Sequence, residues 1–239
     1  MKDNNLLIII PAFNEAGNIG RVLQGMGSSG LVADILVVND GSLDDTSAIA
    51  RSFKGVRVID LPVNLGIGGA VQTGFLFAQR AGYDFAVQFD GDGQHLAGEI
   101  PVLMAPILDG RADVVIGSRF LTRPYSYRAS FFRRLGMKLI QLVNTMLIGR
   151  RITDNTSGFR AYNRLAIDLL AEYYPDDYPE PETVVLLGRN GFQIEEVPVK
   201  MEQRKEGTSS VAGIIGPYYM LKVMLTLMMN LIRPKIRRD

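Results

Sequence analysis

Apolar and polar positions along this chain change in blocks. A continuous apolar run over residues 6–10 reads as a strand buried on both faces of a parallel sheet. A polar loop, Pro11-Ala12-Phe13-Asn14-Glu15, follows, and a helix capped by Asn14 or Asn18 runs on to about Met26. Further short apolar runs at 35–38, 56–61, 85–89 and 114–117 predict four more strands. Helices fall between them: one opened by Asp44 and Asp45, where acidic side chains suit the helix dipole, one over 71–79 after a glycine-rich loop at 64–70, and one over 101–108. Strands alternating with helices at this spacing define an α/β chain with a Rossmann-like, mostly parallel central sheet flanked by helices.

The rhythm changes after Phe120. Residues 128–149 read as a helix with Leu135, Leu139, Leu142, Val143, Met146 and Leu147 on one stripe and Arg133, Arg134 and Lys138 among them. Such a stripe suits core packing or a membrane surface. A polar loop at 154–160 precedes a helix over 164–173, Pro179 and Pro181 break the chain, 183–188 is helical, and 194–199 is a strand that extends the sheet. From Pro217 to Ile232 nearly every residue is Met, Leu, Val, Tyr or Ile, and Arg233, Lys235, Arg237 and Arg238 follow. A helix over 217–232 would be roughly 24 Å long, short of the roughly 30 Å hydrocarbon core. It reads as an amphipathic, membrane-associating helix with a basic tail toward anionic headgroups, or as a helix packed on the domain or on a second copy in a homo-oligomer. The division expected is a domain over 1–210 and an appendage over 211–239.

Composition narrows the chemistry. Lys+Arg total 26 against Asp+Glu 25, so no basic excess marks a nucleic-acid binder. There is no cysteine and one histidine, which removes disulfides, thiolate nucleophiles and multi-histidine metal sites. No leader is read before the first strand, so a cytoplasmic location is expected, peripheral on the inner face of the cell membrane.

The candidate chemistry gathers where strands end, the rim at which open α/β sheets bind ligands. The run over 85–89 stops in Asp90-Gly91-Asp92-Gly93-Gln94-His95. Carboxylates at i and i+2 of an extended segment face one way and repel unless a cation lies between them. Hard oxygen ligands suit Mg²⁺ or Mn²⁺; the other reading of the same residues is an Asp-Gly turn.

Taken together, Pro11-Ala12-Phe13-Asn14-Glu15, Asn39-Asp40-Gly41-Ser42, Asn64-Leu65-Gly66, the 90–95 stretch, Gly117-Ser118-Arg119, Thr156-Ser157-Gly158-Phe159-Arg160, and Val197-Pro198-Val199 with Arg204, Gly207 and Ser209 resemble the inverting family 2 glycosyltransferases. Within that family the likeness is to the branch holding dolichol-phosphate mannose synthase and bacterial polyprenyl-phosphate glycosyltransferases. The resemblance covers about residues 6–210. It implies a GT-A fold and a UDP- or GDP-sugar donor. Pro11, Ala12, Glu15, Asp40, Gly66 and Asp90 would contact the nucleotide. Asp90, Asp92 and Gln94 would hold Mg²⁺ or Mn²⁺ against the diphosphate. Asn39 departs from the pattern, which usually has aspartate there.

The implied reaction displaces a nucleoside diphosphate from the anomeric carbon with an undecaprenyl or dolichyl phosphate. The acceptor is already an anion, so cations to place it matter more than a base. Arg119, Arg134, Arg160 and Arg204 are the candidates, with Ser209 beside them; Asp92, Arg119 and Arg204 are the expected catalytic residues. The alternative is transfer to a glycan hydroxyl, which needs a carboxylate base; Glu180 or Glu182 could serve, or could simply favour a helix N-terminus. A dinucleotide oxidoreductase is disfavoured, because Gly66-Ile67-Gly68-Gly69 lacks the fingerprint spacing. A non-catalytic sugar-nucleotide binder is disfavoured by the intact acidic pair.

Overall fold

The computed structural model describes residues 5–121, 141, 144–145, 149, 151–175 and 179–202. Seven strands form one sheet: β1 (Leu6–Ala12), β2 (Asp34–Asn39), β3 (Val56–Asp60), β4 (Phe85–Gln88), β5 (Val114–Ser118), β6 (Arg160–Asn163) and β7 (Ile194–Pro198). Their order across the sheet is β3-β2-β1-β4-β6-β5-β7. All neighbours run parallel except β6, which is antiparallel to both β4 and β5. The described helices are α1 (Ala16–Ser28), α2 (Thr46–Arg51), α3 (Gly66–Ala81), α4 (Ile100–Leu108), α5 (Arg164–Tyr173) and α6 (Pro179–Arg189).

Period-two alternation divides the sheet's side chains between two cores. Leu7, Ile9, Leu36 and Val38 pack under α3, α5 and α6 with Val71, Phe75, Ile167, Leu170 and Val184. Ile8, Ile10, Val37 and Val87 pack under α1, α2 and α4 with Ile19, Val22, Leu23, Ala50 and Leu103. Every residue of β1 is buried, which is why its sequence is an unbroken apolar run. In α1 the buried Ile19, Val22, Leu23 and Met26 follow the helical repeat.

α3 lies directly against β1. A Cβ on Gly74 would stand 2.3 Å from Cγ2 of Ile9, a residue with no exposure. Gly74→Ala would gain about 1 kcal/mol of helix propensity but overfill a tight contact, at a cost of about 1–3 kcal/mol. A net loss of up to about 2 kcal/mol is expected, read as a lower midpoint in urea.

The structure corrects three expectations. α3 starts at Gly66, not after residue 70, because a buried carboxylate described below receives its first backbone N–H groups. α6 starts at Pro179; Pro179 and Pro181 sit in its first turn, where a missing N–H costs nothing. Arg160, expected to end the polar loop, opens β6 with the unassigned residues 161–163. Of the helix expected over 128–149, residues 141, 144 and 145 are described and helical; Arg134 and the segment 203–239 lie outside the described residues. Among the described residues, no helix is long and apolar enough to cross a membrane.

Candidate active site

The loops after β1, β2, β3 and β4 meet at one rim. After β4 the chain turns through Asp90 and Asp92. The Asp90 N–H donates to Nδ1 of His95 at 3.1 Å, and the Gln94 N–H donates to Oδ1 of Asp92 at 3.0 Å. His95 is buried, stacked on Phe159 with ring centres 4.8 Å apart and edge-on to Phe89 at 5.3 Å. Burial pushes its imidazole down to about 4, so it is neutral near pH 7. With Nδ1 accepting, the proton sits on Nε2, 3.6 Å from Oδ2 of Asp90. That arrangement orders the loop and leaves His95 without a free basic nitrogen.

Asp90 is the perturbed group. Burial first, and the charge of Asp92 second, push its carboxyl up to about 7, against the pull of Arg119 and Arg160. The pair therefore favours a shared cation or a proton. Among the described residues there is no group of three or more His, Cys, Asp or Glu side chains placed to hold a metal. The residues present still fit a Mg²⁺ or Mn²⁺ ion, which binds one or two carboxylates and takes its other oxygens from substrate phosphates and water. Gln94 lies in the same turn; its backbone carbonyl accepts from the Glu202 N–H at 2.8 Å.

The first two loops are laced together. Asn14 adopts φ 53°; its N–H donates to Oγ of Ser42 at 2.9 Å, and its side-chain oxygen accepts from the Leu43 N–H at 2.9 Å. The Glu15 N–H donates to Oγ1 of Thr46 at 2.8 Å, while its carboxylate accepts from Nδ2 of the buried Asn18 at 2.7 Å. Pro11 and Ala12 close β1 and are buried beneath these loops. Asp40 is 3% exposed. Its Oδ1 accepts from the Leu65 N–H at 2.7 Å, so it anchors the start of α3 at Gly66, and burial raises its carboxyl. Asn39 donates from Nδ2 to Oδ1 of Asp60 at 2.8 Å. Bonds from Ser47, Arg51 and Asn39 hold Asp60 down at about 2. An aspartate at 39 would face that charge, which accounts for asparagine at this position.

Across the rim, Arg119 grips Asp154 in a bidentate pair, Nε at 2.8 Å and Nη2 at 2.7 Å, and Nη2 also reaches Oγ1 of Thr156 at 2.9 Å. Asp154 is fully buried, and Arg119 is 18% exposed. Glu196 of β7 in turn accepts from the N–H groups of Thr153 and Asp154 at 2.7 and 2.8 Å. Arg160 is 1% exposed and donates to the carbonyls of Ser157 and Asn155 at 2.8 and 3.1 Å. It is thus part of the wall, and not a surface cation offered to an acceptor. Glu180 is partly buried; burial raises its carboxyl and Arg160 opposes the rise. Glu182 is buried at 5% exposure. Arg134, Arg204 and Ser209 lie outside the described residues. Sequence reasoning gave Asp154 no role; its only signal was its place in the polar loop, two residues ahead of the Thr156-Ser157-Gly158-Phe159-Arg160 motif.

The fold and the rim together describe an α/β protein whose half-buried carboxylate pair, Asp90 and Asp92, sits where parallel strands end, the place at which open α/β sheets bind ligands. The family model for Glycosyl transferase family 2 matches residues 7–170, and the chain belongs to that family; it is a glycosyltransferase. It is 30% identical over 218 residues to UDP-N-acetylglucosamine--dolichyl-phosphate N-acetylglucosaminyltransferase of Methanococcus voltae, covering 84% of this chain and 86% of that one. It is 31% identical over 215 residues to polyprenol monophosphomannose synthase of Mycolicibacterium smegmatis, covering 87% and 81%. Among solved structures, glucosyl-3-phosphoglycerate synthase from Mycobacterium tuberculosis, in complex with Mn²⁺, uridine-diphosphate and phosphoglyceric acid, matches with a TM-score of 0.69 at 23% identity, over 96% of this chain and 79% of that one. That likeness is one of fold, a mostly parallel GT-A sheet.

Proposed function

We propose that this enzyme transfers a sugar from a UDP- or GDP-sugar to a polyprenyl phosphate at the cytoplasmic face of a membrane, using Mg²⁺ or Mn²⁺. The carrying observation is the rim pair Asp90 and Asp92, with Asp90 held near 7 by burial and by its neighbour's charge. The named activities of the two relatives support the acceptor class.

Asp90 and Asp92 would hold the ion, with Gln94 alongside. When bound, it would take up charge developing on the departing diphosphate. Pro11, Ala12, Glu15, Asp40 and Gly66, on the laced loops and at the start of α3, would contact the nucleoside. Arg119, with Asp154 fixing its plane, stands at the acceptor side of the rim; Arg134, Arg204 and Ser209 complete the proposed phosphate contacts. A phosphate acceptor needs no proton removed near neutral pH, in keeping with a His95 whose Nδ1 is occupied. The apolar segment 217–232 and the basic residues after it would bring the enzyme to the lipid surface. The decisive assay pairs a panel of nucleotide sugars with a short-chain polyprenyl phosphate and each metal. A glycosylated lipid phosphate is expected; product only on a glycan hydroxyl would replace this acceptor, and would make Glu180 the residue to test as base.

Metal binding should depend on pH with a definite sign. Asp90 keeps a proton up to about 7 in the fold, and the ion must displace it. Mn²⁺ affinity is expected to rise by up to about tenfold per pH unit below that point and to level off above it. Titration in buffers of different ionisation heat reads the released proton; an affinity that does not change between pH 5 and pH 7 would contradict the expectation. Melting of the ion-free protein is a blunter readout. Asp90's contribution is full below its unfolded value of 3.8 and is lost as pH rises through about 7. That of His95 runs the other way, being lost as pH falls from 6.5 through about 4.

A further inference from the structure

The turn at 157–160 has no part in the function proposed above, although it is packed against that site. A Cβ built on Gly158 would lie 2.7 Å from Oδ2 and 2.8 Å from Oδ1 of Asp90, and 3.1 Å from its Cγ. Gly158 is not among the glycines with positive φ, so its backbone would accept alanine. What excludes a side chain there is the Asp90 carboxylate itself. The next residue, Phe159, is fully buried and forms the flat face on which His95 stacks at 4.8 Å; His95 in turn accepts the Asp90 N–H. Arg160 then ties the turn down through the Ser157 and Asn155 carbonyls. In the sheet it is paired opposite Gln88, two residues before Asp90.

We propose that Gly158, Phe159 and Arg160 are positioning residues for Asp90, acting as a wall behind its carboxylate, a support for the histidine that orients its backbone, and a buried anchor for both. The role rests on the reading of Asp90 as a ligand of the divalent ion. Oxygen ligands of a metal are aimed by the groups packed behind them, and loss of such a group typically weakens metal affinity by about 10–100-fold. Gly158→Ala pushes the carboxylate off its position without altering charge, at a backbone φ that alanine also adopts.

The test measures free Mn²⁺ by electron paramagnetic resonance, with and without UDP, on the full chain and on Gly158→Ala, Phe159→Leu, Asp90→Asn and Gly98→Ala. Gly98 has open space around its Cβ position and serves as the control. Gly158→Ala should weaken Mn²⁺ binding about tenfold or more and shrink the Mn²⁺-induced rise in melting temperature, while the ion-free melting temperature changes little. A loss confined to ion-free stability would reveal a merely structural glycine and overturn the inference. If Gly158→Ala does not fold, Phe159→Leu decides: weaker Mn²⁺ binding supports the role, wild-type binding overturns it. Loss of binding in Asp90→Asn with Gly158→Ala unaffected rejects the positioning role and leaves the metal reading intact. Retained binding in Asp90→Asn removes the metal reading, and the inference with it.

Discussion

Asp92→Asn should lower turnover by about 10³-fold or more without unfolding the protein. Asparagine keeps the side-chain oxygen that accepts the Gln94 N–H, so the turn survives. The loss is one negative charge beside Asp90. A bound divalent ion contributes several kcal/mol to a transition state in which a diphosphate departs, and about 4 kcal/mol corresponds to about 10³ in rate. The same change should bring the Asp90 carboxyl down from about 7, because the charge of Asp92 is the second cause of its rise. Turnover at saturating Mn²⁺, with a melting curve as control, checks both parts. A variant that turns over like the parent would leave the acidic pair as an ordinary turn.

Asp154→Ala should cost about 3–5 kcal/mol of stability, the range for removing one partner of a buried ion pair. The carboxylate has no exposed side-chain surface and accepts from the Arg119 backbone N–H at 3.1 Å as well as from its guanidinium. Alanine would strand those donors in a place with little water. Urea titration reads the loss. Because the penalty comes from the orphaned partner more than from the pair's net worth, replacing both residues together, Arg119→Met with Asp154→Leu, should recover most of it. Recovery of stability without recovery of transfer would separate the structural part of Arg119 from its proposed part at the acceptor phosphate.

Much of the half proposed to take the donor could be read from the chain because its signals are local. β1, β2 and β4 are short apolar runs, and the polar residues after each are consecutive in sequence. The half proposed to take the acceptor is written in long-range terms. β6 has four residues, Arg160–Asn163, and polar groups at both ends; its direction is set by pairing with β4 and β5, which no local pattern records. Asp154 matters because Arg119, 35 residues earlier, lies against it. Gly158 matters because of a carboxylate far back in the chain. Arg160 was read as a cation for solvent or ligand because arginines usually are, and its burial depends on carbonyls of the turn it closes. The start of α3 was misplaced for a related reason: glycines at 66, 68 and 69 argue against a helix, and Asp40, in the loop after β2, overrules them.

β6 has one more consequence. Since it runs against its neighbours, the chain comes back to the catalytic edge before entering it, so the detour between β5 and β6 begins and ends at the same spot, stapled there by Arg119 and Asp154. A connection whose two ends are tied together in this way can change in length without shifting the strands on either side of it, at a closure cost that grows only slowly with length.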